Sequence, residues 1–357
     1  MEQAVGAEVR QNFRYIDVSG VGNSGKSAVV DLLREVDGIY VPEYWFEFDI
    51  IRIPNGLLDL RHRLVSDWSP IRAHYAVHAF LDTVEMLGRN PEWWDLVGLS
   101  RSTARYDRRF AGEFTRCSRD FALSFVRARY FAEWYDDPHE ARLVHLWRKV
   151  LRKLGMRMRL RREVMIADGD QFDAKARNYL DGLYAGIVAP GTDRVILNNG
   201  LEPYNPVPGL DMLAGAHQIV VTRDPRDVYV SGLNHHRVAA ADRAFLASDN
   251  DGLNKGFLAT DDLAIFVERF RTYHRHLYAG NDPRILRLRF EDFLLDHEIA
   301  RARAFAFLGL DPKRHARAGQ HLQPAVSAKN VGLWKHYSRR DEIEYIADAL
   351  PELLYPL

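Results

Sequence analysis

A glycine-rich turn between an apolar strand and a helix is the feature that most constrains the fold of this chain. Residues 20–27, GVGNSGKS, match the pattern G-x-x-x-x-G-K-[ST] in full. Arg14–Ser19 predicts a strand before the turn, and a helix of about ten residues is predicted from Ser27 to the stop at Gly38. Ile39–Val41 predicts a second strand. Strand, tight turn, helix and strand in this order open a parallel α/β sheet.

The turn has the composition of a phosphate-binding loop. Glycines let backbone N–H groups point at an anion, and the helix N-terminus adds a partial positive charge. Lys26 supplies a mobile charge, and Ser27 supplies a hydroxyl group. The residues predicted to bind phosphate are Gly22, Asn23, Ser24, Gly25, Lys26 and Ser27. The pattern does not specify which phosphate compound is bound.

The rest of the sequence predicts one domain over residues 1–357, with a P-loop-like parallel sheet flanked by helices and a large helical insertion. Residues 13–56 form the loop unit, residues 57–160 the insertion, and residues 161–357 the remainder of the sheet. Apolar residues in the insertion recur at helical spacing, as over Phe121–Phe131. Further strands are predicted at Glu163–Ile166, Val195–Leu197, His217–Thr222 and Arg284–Arg289.

Composition indicates a cytoplasmic globular protein. Lys plus Arg and Asp plus Glu both number 49, so a zero net charge gives no general attraction to nucleic acid. The single cysteine, Cys117, excludes an internal disulfide and is typical of a reducing compartment. The sequence begins without the pattern of a secretory signal and contains no long apolar run of membrane-spanning length.

Nucleotide kinases share the full loop pattern, so an ATP- and Mg²⁺-dependent phosphotransferase is the alternative function. Such enzymes need an acid at a second strand end to hold Mg²⁺. Here Thr222 is followed by Arg223, Val195–Leu197 is followed by two asparagines, and Asp17 lies inside the first strand. The sequence therefore favours a different phosphate ligand.

A second anion-binding pattern follows the strand that ends at Thr222. Pro225 suits a helix start, and Asp224 can cap that helix. Arg223 at the strand end and Ser231, eight residues later, can both face the crevice where α/β sheets bind ligands. A guanidinium with a hydroxyl group is a good receptor for a phosphomonoester.

These motifs together resemble the family of sulfotransferases that use 3′-phosphoadenosine 5′-phosphosulfate (PAPS). In that family the loop binds the 5′-phosphosulfate, and an Arg with a Ser eight residues later binds the 3′-phosphate. Residues 290–293 (FEDF) and 307–310 (FLGL) resemble two further family segments. Residues 329–335, which include GLWK at 332–335, resemble the family's closing loop, which covers the adenosine and the 3′-phosphate. The resemblance covers residues 13–45 and 193–338.

The resemblance implies transfer of a sulfuryl group from PAPS to a hydroxyl or amine, with 3′,5′-ADP as product and no metal. Many members carry a Lys where this chain has Asn23, so the charge-neutralising role is assigned to Lys26. Beyond the loop, the implied donor-binding residues are Arg223, Ser231, Lys329, Gly332, Trp334 and Lys335. Lys329 and Lys335 replace the basic run that the cytosolic branch carries in this region.

Glu43 and Glu47 are the candidates for the catalytic base. In several bacterial and glycan-type members a glutamate just after the second strand takes this role. If the segment is extended, residues 43, 45, 47 and 49 share one face. The sequence does not choose between the two glutamates, and His235 or His236 is the alternative base.

The predicted acceptor is a saccharide, which residues 57–160 would bind. Trp93-Trp94, Trp134-Tyr135 and the amide-rich loop Asn198–Asn205 have the chemistry that sugar hydroxyls and rings require. Residues 148–162 carry eight Lys or Arg with interleaved apolar residues. This stretch is either a solvated helix face or a peripheral contact with the inner face of a membrane, where a lipid-linked saccharide would be held.

Overall fold

A five-stranded sheet forms the centre of the computed structural model, which describes residues 12–43, 46–88, 106–133, 142–155, 161–241, 260 and 262–357. The described strands are β1 (Arg14–Gly20), β2 (Ile39–Tyr40), β3 (Val126–Glu133), β4 (Arg161–Ala167), β5 (Arg194–Ile196), β6 (His217–Thr222) and β7 (Ile285–Arg289). The sheet order is β2-β5-β1-β6-β7, and every neighbouring pair is parallel. The predicted parallel α/β sheet is confirmed.

Helices cover both faces of this sheet. They are α1 (Lys26–Arg34), α2 (Leu57–Arg61), α3 (Pro70–Gly88), α4 (Tyr106–Arg109), α5 (Phe114–Leu123), α6 (Arg142–Lys153), α7 (Phe172–Ala185), α8 (Val207–Met212), α9 (Pro225–Ala241), α10 (Leu263–Leu277), α11 (Phe290–Leu295), α12 (His297–Leu308), α13 (Pro324–Ser327) and α14 (Arg340–Ala349). Within the described ranges, none of these helices combines the length and the apolar character needed to cross a membrane.

Alternation along β1 divides the core into two layers. Tyr15 packs against Tyr184 of α7 on one face, whereas Ile16 and Val18 belong to the cluster with α1 and α12 on the other face. Successive side chains of a strand point to opposite faces, so β1 contributes to both layers. A strand that is buried on both faces is typical of a parallel sheet covered by helices.

The insertion is only partly helical, which corrects one sequence prediction. Helix α5 ends at Leu123, and β3 then pairs antiparallel with β4 in a separate two-stranded sheet. The predicted helical face over Phe121–Phe131 is therefore wrong beyond Leu123. Closely spaced apolar residues fit either a helix or a strand, and the partner strand lies far along the chain, so local spacing alone could not decide.

Two alanine variants test the different burial of Phe121 on α5 and Phe131 on β3. Phe121 is buried beside Phe125 and Tyr179, so Phe121→Ala should lower the free energy of unfolding by about 3–5 kcal/mol. Phe131 is 66% exposed, so Phe131→Ala should change it by less than about 0.5 kcal/mol. Urea unfolding followed by circular dichroism measures both. Equally large losses in the two variants would contradict the strand.

Candidate functional site

The phosphate loop connects β1 to α1 at the carboxyl-terminal edge of the sheet. Gly25 has a left-handed backbone (φ +84°), and a Cβ atom there would overlap the ring of Phe290. Helix α1 begins at Lys26 with no side chain capping its first N–H groups. The free N–H groups at the start of a helix can bind an anion, so this geometry is compatible with the predicted phosphate site.

Lys26 extends from the loop to the carboxylate of Glu47. Its Nζ donates to Glu47 Oε1 at 2.5 Å and to Asn198 Oδ1 at 3.2 Å. Glu47 follows β2 and Asn198 follows β5, and both strands run parallel to β1. The carboxyl ends of parallel neighbours meet at one edge, and this brings the three side chains together.

Glu47 is held on two further sides. Arg52 Nη2 donates to Oε2 at 3.0 Å, and Asn199 Nδ2 donates to Oε1 at 2.7 Å. Burial raises the pKa of Glu47, but the positive charges of Lys26 and Arg52 outweigh burial, and the net pKa lies below the ordinary value. Glu47 is therefore an ionised carboxylate whose negative charge is neutralised by two cations.

The other acids of this segment have different surroundings. Glu43 is 86% exposed and pairs with Arg109 at 2.8 Å. Asp49 is buried and accepts two hydrogen bonds from Arg52. Burial raises the pKa of Asp49 to about 6, against the lowering effect of Arg52. Of the two candidate bases, only Glu47 contacts Lys26.

The segment that carries these acids is turned, so the expectation of a shared extended face is wrong. The Phe46 N–H donates to the Glu43 carbonyl at 3.0 Å, and Asp49–Ile51 forms a single 3-10 turn. Phe46 and Phe48 are both buried, and both rings pack against Tyr106. Burying these rings against the insertion turns the backbone away from an extended course.

Arg223 lies between the phosphate loop and the carboxyl-terminal part of the chain. Only 4% of it is exposed. Its guanidinium donates to the Asn23 carbonyl at 3.0 Å and to the Asn330 carbonyl, and it lies 4.6 Å from the centre of the Phe290 ring. The buried Nε has no hydrogen-bond partner in the part of the chain that the structure describes. Arg223, the residue predicted to bind a second anion, thus borders the predicted phosphate loop and retains an unused donor.

Asp227 fixes the predicted closing loop, residues 329–335, to the start of α9. Its carboxylate accepts from the N–H groups of Gly332 at 2.7 Å and Trp334 at 3.1 Å. The guanidinium of Arg226 lies 3.9 Å from the centre of the Trp334 ring, and Asp224 both holds Arg226 and accepts its backbone N–H. Pro225 begins α9 as predicted. The closing loop is therefore docked beside Arg223.

The remaining predicted donor-binding residues lie on these elements. Ser231 follows Asp227 by four residues on α9, so it shares its helix face. Ser27, Lys329 and Lys335 are exposed.

The side chains of His235 and His236 lie outside the described part of the chain, as do Trp93-Trp94 and Trp134-Tyr135.

The contacts that three residues make in the site were not predicted from the sequence. Asp227 carried a usable signal, because it lies one helical turn from both Arg223 and Ser231. Arg52 and Asn199 carried none, since their contacts with Glu47 depend on the turn after β2 and on the loop after β5. Asn198 and Asn199 were expected to face an acceptor, but their amides bond Lys26, Glu47 and the Phe46 carbonyl.

Asp17 is the acid closest in sequence to the phosphate loop. It is fully buried, and its carboxylate accepts from the Gly200 N–H at 2.8 Å and from Gln218 at 3.0 Å. Burial raises its pKa against the lowering effect of these hydrogen bonds. Asp17 therefore supports the loop after β5 from inside the sheet.

Comparison with known proteins gives a fold likeness alone. No protein-family model and no curated protein sequence matches the chain. The sulfotransferase domain of the Synechococcus olefin synthase is 14% identical, with 100% of both chains covered and a TM-score of 0.40. A Mycobacterium avium sulfotransferase is 12% identical, with 96% of this chain and 76% of that chain covered and a TM-score of 0.39. These scores are too low to assign a family.

Proposed function

We propose that this protein transfers a sulfuryl group from PAPS to a hydroxyl or amine of an acceptor. The observation that carries the proposal is the junction at Arg223, where a buried cation joins the phosphate loop to a second basic segment. A ligand with one phosphate group would need only the loop. A donor that carries a 5′-phosphosulfate and a separate 3′-phosphate would use both parts of the junction.

Unsatisfied polar groups support the fit of such a donor. Ser24 Oγ in the loop and Arg223 Nε are both buried without a hydrogen-bond partner among the described residues. Buried polar groups are nearly always hydrogen-bonded, so such groups indicate a missing partner. The loop N–H groups with Lys26 would hold the phosphosulfate, and Arg223 with Ser231 would hold the 3′-phosphate. The exposed Lys329 and Lys335 would add positive charge.

The loop would then act on the leaving group, and Glu47 would act on the acceptor. When bound, PAPS supplies an activated sulfuryl group on a phosphate leaving group. Lys26 and the N–H groups at the start of α1 stabilise the negative charge that grows on that phosphate as its oxygen–sulfur bond breaks. Glu47 accepts the proton of the acceptor hydroxyl as the acceptor oxygen forms its bond to sulfur.

The ion pair between Lys26 and Glu47 has to open for this chemistry. A carboxylate bonded to two cations has a low proton affinity and is a weak base. An anion in the loop attracts the Lys26 ammonium and so competes with Glu47 for it. Donor binding would therefore raise the proton affinity of Glu47 at the stage when a base is needed.

The donor is tested by comparing 3′,5′-ADP with ATP plus Mg²⁺ in calorimetry and thermal shift. We expect 3′,5′-ADP to bind and stabilise the protein. Arg223→Ala should weaken this binding about 10- to 150-fold, as expected for the loss of a charge-assisted contact. Arg287→Ala is the matched control, because Arg287 bonds the Leu277 and Gly280 carbonyls instead of the loop. Stabilisation by ATP plus Mg²⁺ alone would contradict the proposal and favour the phosphotransferase.

The base is tested with Glu47→Gln and Glu43→Gln. Glu47→Gln should lower kcat about 10²- to 10⁴-fold, since it removes the proton acceptor. Its affinity for 3′,5′-ADP should be unchanged or higher, because Lys26 is no longer held by a carboxylate. Glu43→Gln is the control and should retain nearly full activity. Full activity of Glu47→Gln would transfer the role to another group, such as His235.

We propose a saccharide acceptor, supported by a cavity in the insertion. The cavity is about 950 Å³ and open to solvent, and its lining includes Asp59, His62, Tyr75, His78 and Asp82. Polar groups with an aromatic ring suit a sugar better than a small apolar phenol. Asn55, which also lines this cavity, lies three residues after Arg52, and Arg52 bonds Glu47.

The acceptor class is tested with sulfur-labelled PAPS and a cell extract separated into carbohydrate, lipid and small-molecule fractions. We expect label in the carbohydrate or lipid-linked saccharide fraction. With the acceptor found there, His78→Ala should raise the KM for the acceptor roughly tenfold, through one lost hydrogen bond, without changing 3′,5′-ADP binding. Label confined to small phenolic products would overturn the saccharide proposal but leave the donor proposal intact.

A further inference from the structure

Helix α6 presents its apolar side chains to solvent. One set, between 46% and 77% accessible, is formed by Leu143, Leu146, Trp147 and Val150 with Leu154 just after the helix end, and Val144 is exposed at 46% beside them. The spacing of three and four residues within this set places it on one face of the helix. Arg148, on another side of the helix, is 4% exposed. On a globular protein an amphipathic helix usually buries its apolar face and exposes its charged face. In α6 a cation is buried and a stripe of apolar residues is exposed.

The polar part of α6 is entirely basic. The segment Arg142–Lys153 contains five Lys or Arg residues and no Asp or Glu, although the whole chain has a net charge of zero. At 100° per residue, Lys149 and Lys153 lie along one edge of the apolar stripe. Both lysines are exposed. A local positive charge therefore borders the exposed apolar surface.

The two-stranded sheet also exposes apolar side chains. Helix α6 lies in the connection between β3 and β4. Tyr130 and Phe131 on β3 are 50% and 66% exposed, and Ile166 on β4 is 43% exposed. The part of the sequence predicted as one basic stretch, residues 148–162, is thus divided between the end of α6 and the start of β4, with residues 156–160 outside the described part.

We propose that α6 docks on the surface of an anionic lipid bilayer. A helix with Leu and Trp on one face and Lys or Arg on the other lies in the plane of a membrane interface. The apolar stripe would enter the boundary between headgroups and acyl chains. Lys149 and Lys153 would meet anionic headgroups, which attract basic residues close to a membrane.

Charge argues against a second copy of the chain as the occupant of this face. Two antiparallel α6 helices packed through their apolar stripes would bring Lys149 and Lys153 of each copy together. The helix has no acidic residue to pair with them. An anionic lipid surface complements both the stripe and its basic edge.

Sedimentation with vesicles tests the proposal on the full chain. We expect binding to vesicles that mix phosphatidylcholine with phosphatidylglycerol, and much weaker binding to phosphatidylcholine alone. Binding should weaken as salt is added, since salt screens exposed charges. Equal binding to both vesicle types, or binding to neither, would overturn the proposal.

Matched variants assign the binding to α6. The double variant Leu146→Gln with Trp147→Gln should lower the partition coefficient roughly a hundredfold or more, because two large apolar side chains no longer enter the membrane. Lys149→Gln should lower it about fivefold. The controls are Ile299→Gln with Tyr345→Gln, both exposed on other helices, and Lys313→Gln, and all should bind like the parent.

Two further readouts complete the test. Binding of 3′,5′-ADP should be the same in all these variants, so a failure of membrane binding is distinguishable from a failure of the proposed activity. Analytical ultracentrifugation without vesicles should show no concentration-dependent association through α6. If the protein self-associates and the double variant Leu146→Gln with Trp147→Gln does not, a second copy covers this face. That result would overturn the lipid proposal.

Discussion

The buried guanidinium of Arg223 is the interaction on which the arrangement of the site depends. Removing a charge from water costs several kcal/mol unless hydrogen bonds and other charges offset it. Here the offset comes from separate parts of the chain, namely the Asn23 and Asn330 carbonyls, the Phe290 ring and, at 4.0 Å, the Asp227 carboxylate. The phosphate loop, α9, α11 and the carboxyl-terminal segment are consequently positioned by one cation at the end of β6.

A second group of charges, formed around Glu47, sets the proton affinity of the carboxylates in the site. Lys26 and Arg52 hold Glu47 in a defined position, but the same two cations reduce its affinity for a proton. The two cations that fix the position of the Glu47 carboxylate therefore also weaken it as a base, as long as no anion competes for Lys26. Asp49 shares Arg52 with Glu47, and burial raises its pKa to about 6, so this group of charges is sensitive to mild acidification as well as to ligands.

Local patterns predicted the parts of the fold that are locally determined. The loop, β6 and the start of α9 each have a turn residue or an apolar run that specifies them, and the structure agrees. The choice between Glu43 and Glu47 could not be made in this way, because it depends on a turn that packs Phe46 against residues of the insertion. Strand β3 was missed for the same reason, since its partner β4 follows a long intervening segment.

The attachment of residues 329–335 to α9 affects the entropy of ligand binding. Asp227 bonds two backbone N–H groups of this segment, and Arg226 packs on its tryptophan, so both contacts are made within the chain. Ordering a residue costs about 1–2 kcal/mol of backbone entropy. That cost is met when the chain folds, so the phosphate proposed to bind at Arg223 would enter a receptor that is already shaped, and more of its interaction energy would remain as affinity.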